Sequence, residues 1–328
     1  MRHFFDLVRF KNLLIIALTM IAVRFFFFSI GGKVTTDHTI EFINFFILVI
    51  STLFIAAAGN VINDYFDIKA DKINKPHRQI IGKFVPKRKA IAMHWYLNGI
   101  AFICSIYLSI FYRSFWYVFI DLLSINALWL YSSYFKRKLL AGNILVALLT
   151  ALVILLTGVH FFHLNNLHFD TIQSPKIGVS QSINESILHW KKLFLYNGNF
   201  IYLLCVFAFL LNLGREIVKD MEDVEGDKLI RSKTLPLIYG TNVAKRTSMV
   251  ILLLVPMTYF SLFIKYHKPI DFNEITATLP VFLAVLGTFT SVLILGFKSE
   301  RKWLILVDKI LKIAMLLGIS TPFYWWLF

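Results

Sequence analysis

Residues 42–71 read FINFFILVISTLFIAAAGNVINDYFDIKAD. The run from 42 to 63 is mainly apolar and meets the length of roughly 20 residues that an α-helix needs to cross a bilayer core of ~30 Å. Asp64, Asp67 and Asp71 then follow at once. Such a stretch is a membrane helix that delivers carboxylates to one face of the bilayer.

The rest of the chain repeats the apolar part of that pattern. Spans are expected at 12–30, 42–63, 92–111, 115–135, 143–162, 200–218, 246–264, 275–297 and 308–327. Across all 328 residues, 58% are hydrophobic and only 16% charged, and 33 are Phe. A soluble domain carries about 25% charged residues. The composition excludes a soluble enzyme, a disordered tail and a nucleic-acid partner, and leaves an all-α polytopic membrane protein surrounded by lipid. The opening MRHFFDLVRFKN and its apolar continuation read as the first span, because Arg24 and Phe25–Phe28 stand where a cleaved signal would have small residues. Cys104 and Cys205 both lie inside apolar runs and are expected as small core residues.

Basic residues orient the spans. The N-terminus, loop 64–91, residues 136–138, segment 214–247 and residues 298–302 hold 24 of the 34 Lys and Arg, against seven on the other side. Positive charge collects on the cytoplasmic side. The expectation is an integral protein of the cell's cytoplasmic membrane, with its N-terminus inside and its C-terminus outside.

The acids of the opening stretch have a counterpart. Asp64, Asp67, Asp71 and Lys72 recur 156 positions later as Asp220, Asp223, Asp227 and Lys228. Segments 63–71 and 216–227 hold nine of the 19 Asp and Glu, and each follows an apolar span on the basic side. Acids at i, i+3 and i+7 share one helical face, repel one another there and call for a cation. Oxygen donors without His or Cys suit Mg²⁺ or Ca²⁺, and Mg²⁺ commonly bridges one or two carboxylates to a phosphate. Basic residues follow both segments: Lys72, Lys75 and Arg78, then Lys228, Arg231 and Lys233. Carboxylate, metal, phosphate and cation together describe a diphosphate site, and its place at a bilayer implies an isoprenoid tail.

Asn63-x-x-x-Asp67-x-x-x-Asp71 followed by Asn74, Pro76 and Arg78 resembles the first aspartate-rich motif of the UbiA superfamily of intramembrane prenyltransferases. Asp220-x-x-Asp223-x-x-x-Asp227 followed by Thr234-Leu235-Pro236 resembles the second. Arg9, Asn12, Tyr131, Lys136, Gly142 and Asn143 extend the likeness, while Gln79, Ile80-Ile81 and Arg231 depart from it. The stretch Arg215-Glu216-Ile217 through Asp227 most resembles the digeranylgeranylglyceryl phosphate synthases within that superfamily.

The resemblance implies one domain over 1–328, with nine transmembrane helices around a central cavity that opens near the cytoplasmic face. It implies Mg²⁺-dependent transfer of a polyprenyl group, geranylgeranyl here, from its diphosphate to a lipid acceptor, geranylgeranylglyceryl phosphate. Asn63, Asp67 and Asp71 would form one metal cluster, and Asp223 and Asp227 the other, with Asp220 beside them. Arg78 and Lys136 would hold the diphosphate. Arg215 and Lys219 would hold the acceptor phosphate, and Asn12, Tyr131 and Asn143 would orient substrate or brace helices. An aromatic acceptor on the same fold is the alternative. A secondary transporter would instead carry its acids near the midplane on broken helices.

Overall fold

The computed structural model describes residues 2–29, 38–68, 72, 79–164, 199–229, 232–266 and 272–327. They are almost wholly helical. In chain order the elements are α1 (Arg2–Leu7), α2 (Phe10–Ser29), α3 (His38–Phe66), α4 (Lys87–Phe111) and α5 (Trp116–Ser133). A 3₁₀ turn (Phe135–Arg137) leads to α6 (Ala141–Leu164), α7 (Asn199–Glu222), α8 (Val224–Leu229) and α9 (Leu235–Tyr239). The series ends with α10 (Thr241–Tyr266), α11 (Phe272–Ala277), α12 (Leu279–Phe297) and α13 (Arg301–Leu327).

Among the described residues, six helices are long and apolar enough to cross a membrane: α3, α4, α6, α7, α10 and α12. The protein is an integral membrane protein on that ground. The other long helices are α2, α5 and α13, which carry Arg24, Asp121 and a charged first half respectively. Several helices outrun the apolar runs that the sequence marks. Helix α13 begins seven residues before the expected 308, because hydrogen bonding along a helix does not stop where hydrophobicity does. The expected span 275–297 is broken at Thr278, and Pro280 stands in the first turn of α12, where its missing N–H costs nothing.

By internal contacts the chain divides into two compact units. One comprises Met1–Ala17, Thr36–Leu149 and Asp223–Ile238. Here α3 packs against α4 and α5, which also pack against each other. Its core joins Leu7, Val8 and Leu13 to Ala57, Ala58 and Val61 of α3, and to Ile81, Ala90 and Leu97. Small residues on the shared faces let the helix backbones approach closely. Deeper in the same unit, Ser51 Oγ hydrogen-bonds the Asp121 carboxylate and lies 3.1 Å from the Ala101 carbonyl, so α3, α4 and α5 meet at one buried polar point.

The second unit comprises Leu18–Thr35, Thr150–Glu222 and Tyr239–Phe328. Its four long helices close a ring, α7 on α10, α10 on α12, α12 on α13 and α13 on α7. Gly214 permits the first of these contacts, because a Cβ there would stand 2.7 Å from Leu252 of α10. Phe26 of α2 lies 6.2 Å from Trp325, whose indole Nε1 donates to the Ala277 carbonyl at 2.8 Å. The Arg24 guanidinium is buried over the Phe161 ring.

Candidate active site

The two aspartate segments end their helices in the same register. Helix α3 stops at Phe66 and α7 at Glu222, again 156 residues apart, so Asp67 and Asp223 are each the first residue beyond a long helix. The Asp67 N–H donates to the Asn63 carbonyl at 3.0 Å, and the Asp227 N–H donates to the Asp223 carbonyl at 3.0 Å. The continuous helical face expected for each set of acids is therefore interrupted at its middle member. A helix end turns side chains away from the bundle axis and exposes carbonyls, which favours cations nearby.

At the end of α3 the groups converge. Asn63 Nδ2 donates to Asp67 Oδ2 at 2.9 Å. The Lys136 ammonium donates to Asn63 Oδ1 at 3.2 Å and makes a close ion pair with the same Asp67 oxygen. A cation thus sits between two oxygens one helical turn apart. Lys136 reaches them from the 3₁₀ turn after α5. Gly142 lets α6 start against that turn, since a Cβ at 142 would stand 2.9 Å from the Phe135 carbonyl and 3.2 Å from the Tyr131 ring.

Arg9 completes the group from the other side. Its backbone takes a left-handed φ of 53°, which costs about 1 kcal/mol for a non-glycine residue. Asn60 Nδ2 holds the preceding Val8 carbonyl at 2.9 Å, and Arg9 Nη2 donates to Asp64 Oδ1 at 2.7 Å. Asp64, the acid that turns away from Asn63, is therefore matched to an arginine. Burial works against the charge on Arg9, but Asp64, with smaller contributions from Asp67 and Tyr131, holds its pKa above the ordinary value. Burial likewise opposes the charge on Lys136, and Asp67 outweighs it to raise that pKa too. Arg9 and Lys136 balance Asp64 and Asp67.

Of the residues singled out by sequence, the structure brings Asn63, Asp67, Tyr131 and Lys136 to one place. Asn12 is exposed on the first turn of α2, and among the described residues its side chain makes no hydrogen bond to them. Asn143 is half-buried in the first turn of α6. Asp220, Asp223 and Asp227 are half-buried around the break between α7 and α8. Asp71 and Arg78 lie outside the described residues.

Arg215 and Lys219 stand on α7 in a second charged group. Arg215 Nε donates to Asp308 Oδ1 of α13 at 2.7 Å, and its Nη1 to Glu216 Oε1 at 3.2 Å. Lys219 Nζ donates to the same Glu216 oxygen at 2.7 Å, and Lys312 Nζ to Asp308 Oδ2 at 2.5 Å. Sequence reading passed over Asp308 and Lys312. Their signal was there: a charge inside an apolar span is costly enough to need a partner.

The donor set at the end of α3 fits a hard divalent cation. Its ligands are amide and carboxylate oxygens, and they already attract an ammonium into the gap between them. Among the described residues no three His, Cys, Asp or Glu gather around one point.

Residues 23–316 match the UbiA prenyltransferase family. The chain is 31% identical over 334 residues to digeranylgeranylglyceryl phosphate synthase of Saccharolobus solfataricus, with 99% of each chain covered. It is similar in fold to a solved digeranylgeranylglyceryl phosphate synthase (TM-score 0.63, 22% identity, 99% of this chain and 98% of that one). It is similar also to a UbiA homolog from Archaeoglobus fulgidus bound to GPP and Mg²⁺ (TM-score 0.53, 14% identity, 98% of this chain and 99% of that one). With two aspartate-bearing helix ends in one register and a family match over nearly its whole length, the chain belongs to the UbiA prenyltransferase family.

Proposed function

We propose that the protein transfers a geranylgeranyl group from its diphosphate to geranylgeranylglyceryl phosphate, a step of ether-lipid synthesis. The observation that carries this reading is the oxygen-only grip of Asn63 and Asp67 on the Lys136 ammonium at the end of α3, with Asp223 in the matching position at the end of α7. The likeness along 99% of its length to a named digeranylgeranylglyceryl phosphate synthase supports the choice of acceptor.

In this reading Asn63, Asp67 and Asp71 hold one Mg²⁺, and Asp220, Asp223 and Asp227 hold a second. When bound, Mg²⁺ neutralises the charge that grows on the departing diphosphate. Lys136 and Arg78 donate to the diphosphate oxygens. Without metal, the Asp67 carboxylate holds Lys136 as an ammonium. Arg215 and Lys219 bind the acceptor's phosphate, and Tyr131, Asn12 and Asn143 orient the substrates. Apolar helices exclude water, so that the allylic centre meets the acceptor hydroxyl and not solvent.

We read residues 1–328 as one domain with nine crossings around a central cavity that opens near the cytoplasmic face. The family match extends from residue 23 to residue 316, which supports the single domain. Nine helices of 18 residues or more among the described residues support the nine crossings. The 24-to-7 basic bias supports a cytoplasmic N-terminus and an external C-terminus. An impermeant thiol reagent should label a Lys83→Cys variant lacking Cys104 and Cys205 from the cytoplasmic side only. Labelling from outside would overturn the orientation.

The decisive experiment offers purified protein geranylgeranyl diphosphate with either geranylgeranylglyceryl phosphate or 4-hydroxybenzoate, with and without Mg²⁺. Turnover of the glyceryl phosphate, abolished by EDTA, is expected. Turnover of the aromatic acid alone would reject the acceptor and keep the prenyl transfer.

A further inference from the structure

The charged group between α7 and α13 is built as an alternating chain. Lys219, Glu216, Arg215, Asp308 and Lys312 follow one another as cation, acid, cation, acid, cation. Glu216 Oε1 bridges Lys219 and Arg215, and the two oxygens of Asp308 bridge Arg215 and Lys312. Arg215 and Lys219 are i and i+4 on one helix; Asp308 and Lys312 are i and i+4 on the other. Two charged helix faces therefore meet inside one compact unit.

The chain is graded in depth. Arg215, Glu216 and Asp308 in its middle have side chains 13–15% exposed, whereas Lys219 at one end is 35% and Lys312 at the other 46% exposed. The centre is fixed further by Asn212, whose Oδ1 accepts from Arg215 at 3.4 Å and whose Nδ2 donates to Thr150. Three cations face two acids, which leaves one positive charge over on largely apolar helices. Among the described residues the Arg215 Nη2 group makes no hydrogen bond, and Lys219 and Lys312 bond only to one acid each. The surplus lies with the two partly exposed lysines, where an anion can reach it. Arg presents planar N–H pairs that suit phosphate, and lysines add point charges at either side.

We infer that Asp308 and Lys312 of α13 belong to the acceptor-recognition site: Lys312 donates directly to the phosphate monoester of the lipid acceptor, and Asp308 is the positioning residue that aims Arg215 at it. The inference rests on the acceptor reading above and extends it to a helix that carries neither aspartate motif. The carboxylate of Asp308 fixes the guanidinium plane through Nε, which leaves the Nη2 edge for the phosphate. Lys312 is held on the same carboxylate by its second oxygen, so one acid spaces two phosphate donors. A dianionic or monoanionic phosphate replaces the missing negative charge of the chain. The specificity is for a phosphate monoester over an uncharged glycerol ether.

The test uses full-length protein in detergent with geranylgeranyl diphosphate as donor. Lys312→Gln should raise the acceptor KM about tenfold, the lower end of what a charge-assisted bond to phosphate is worth, and leave the donor KM and the Tm in place. Lys312→Arg should restore most of the loss. Asp308→Asn should raise the acceptor KM in the same direction. Glycerol 3-phosphate should compete with the acceptor and not the donor in the wild type, and should lose that effect in Lys312→Gln. An unchanged acceptor KM in Lys312→Gln, or a loss of Tm alone, would show that the chain only braces α7 against α13, and the inference would fall. A wild-type protein that does not turn over geranylgeranylglyceryl phosphate at all would instead reject the acceptor reading itself.

Discussion

The end of α3 and the α7–α13 chain are both clusters of acids and cations, and they differ in how their charges are shared. At α3 a single lysine is divided between an amide and a carboxylate oxygen of residues one turn apart, with Arg9 on the neighbouring acid. Charge there is balanced, and a stronger cation has only to displace one ammonium. On α7 and α13 every acid is already bridged by two cations, and positive charge remains. Acids that bridge cations so tightly are poor metal ligands and good scaffolds for basic side chains. The first region is suited to bind a cation, the second an anion.

The largest expected effect tests the first half of that contrast. Asp67→Asn should lower kcat by at least about a hundredfold, since it removes charge that acts on the leaving group. The acceptor KM should hold. Activity above a tenth of wild type would show that the α3 end is not where chemistry occurs. Next, Arg215→Gln should raise the acceptor KM about tenfold to a hundredfold and spare the donor KM. A shift in the donor KM instead would make the second region a clamp on the diphosphate and erase the difference between the two.

A smaller effect sharpens the description of the α3 end. Gly142→Ala would force a methyl against the Phe135 carbonyl and the Tyr131 ring. Overpacking of this kind costs about 1–3 kcal/mol. A lower Tm and a raised donor KM are expected together, because the same turn carries Lys136. An unchanged donor KM would detach Lys136 from donor binding. The smallest effect is a predicted flat region. Lys136 has its pKa raised in the folded protein, so its pairing is intact below the ordinary lysine value of 10.5 and is lost only as pH rises through the higher folded value. The Tm of the metal-free protein should therefore show no step from this group between about pH 6 and 9. A step there that vanishes in Lys136→Gln would contradict the assignment.

Much of this was legible in the sequence. Apolar length located the helices, and the 156-residue offset of the acids located the site, because both signals are local in the chain. The break of each helix at its second aspartate was not legible: spacing alone treats i, i+3 and i+7 as one face, and only hydrogen bonding decides where the helix stops. The pairing of Asp64 with Arg9 depends on a left-handed backbone at an arginine, a conformation that no sequence pattern announces. Asp308 and Lys312 were hidden for a different reason. They lie among apolar residues, and the arginine that Asp308 binds sits 93 residues away on another helix.

The hydrogen bond from Ser51 to Asp121 bears on how the protein is made. An aspartate within a helix costs up to roughly 2.5–3.5 kcal/mol to insert into a bilayer, the value at the helix centre. Helix α5 has only 18 residues with which to offset that cost. Its partner on α3 has left the ribosome some 70 residues earlier, and the Ala101 carbonyl that shares Ser51 lies on α4 between them. The carboxyl group of a newly synthesised α5 therefore finds its hydroxyl already in the membrane. Helices α3 to α5 are then expected to integrate as a trio, with α5 depending on the two before it for its own insertion. Ser51→Ala should show itself first in a yield of correctly inserted chains, before any change in the enzyme that survives.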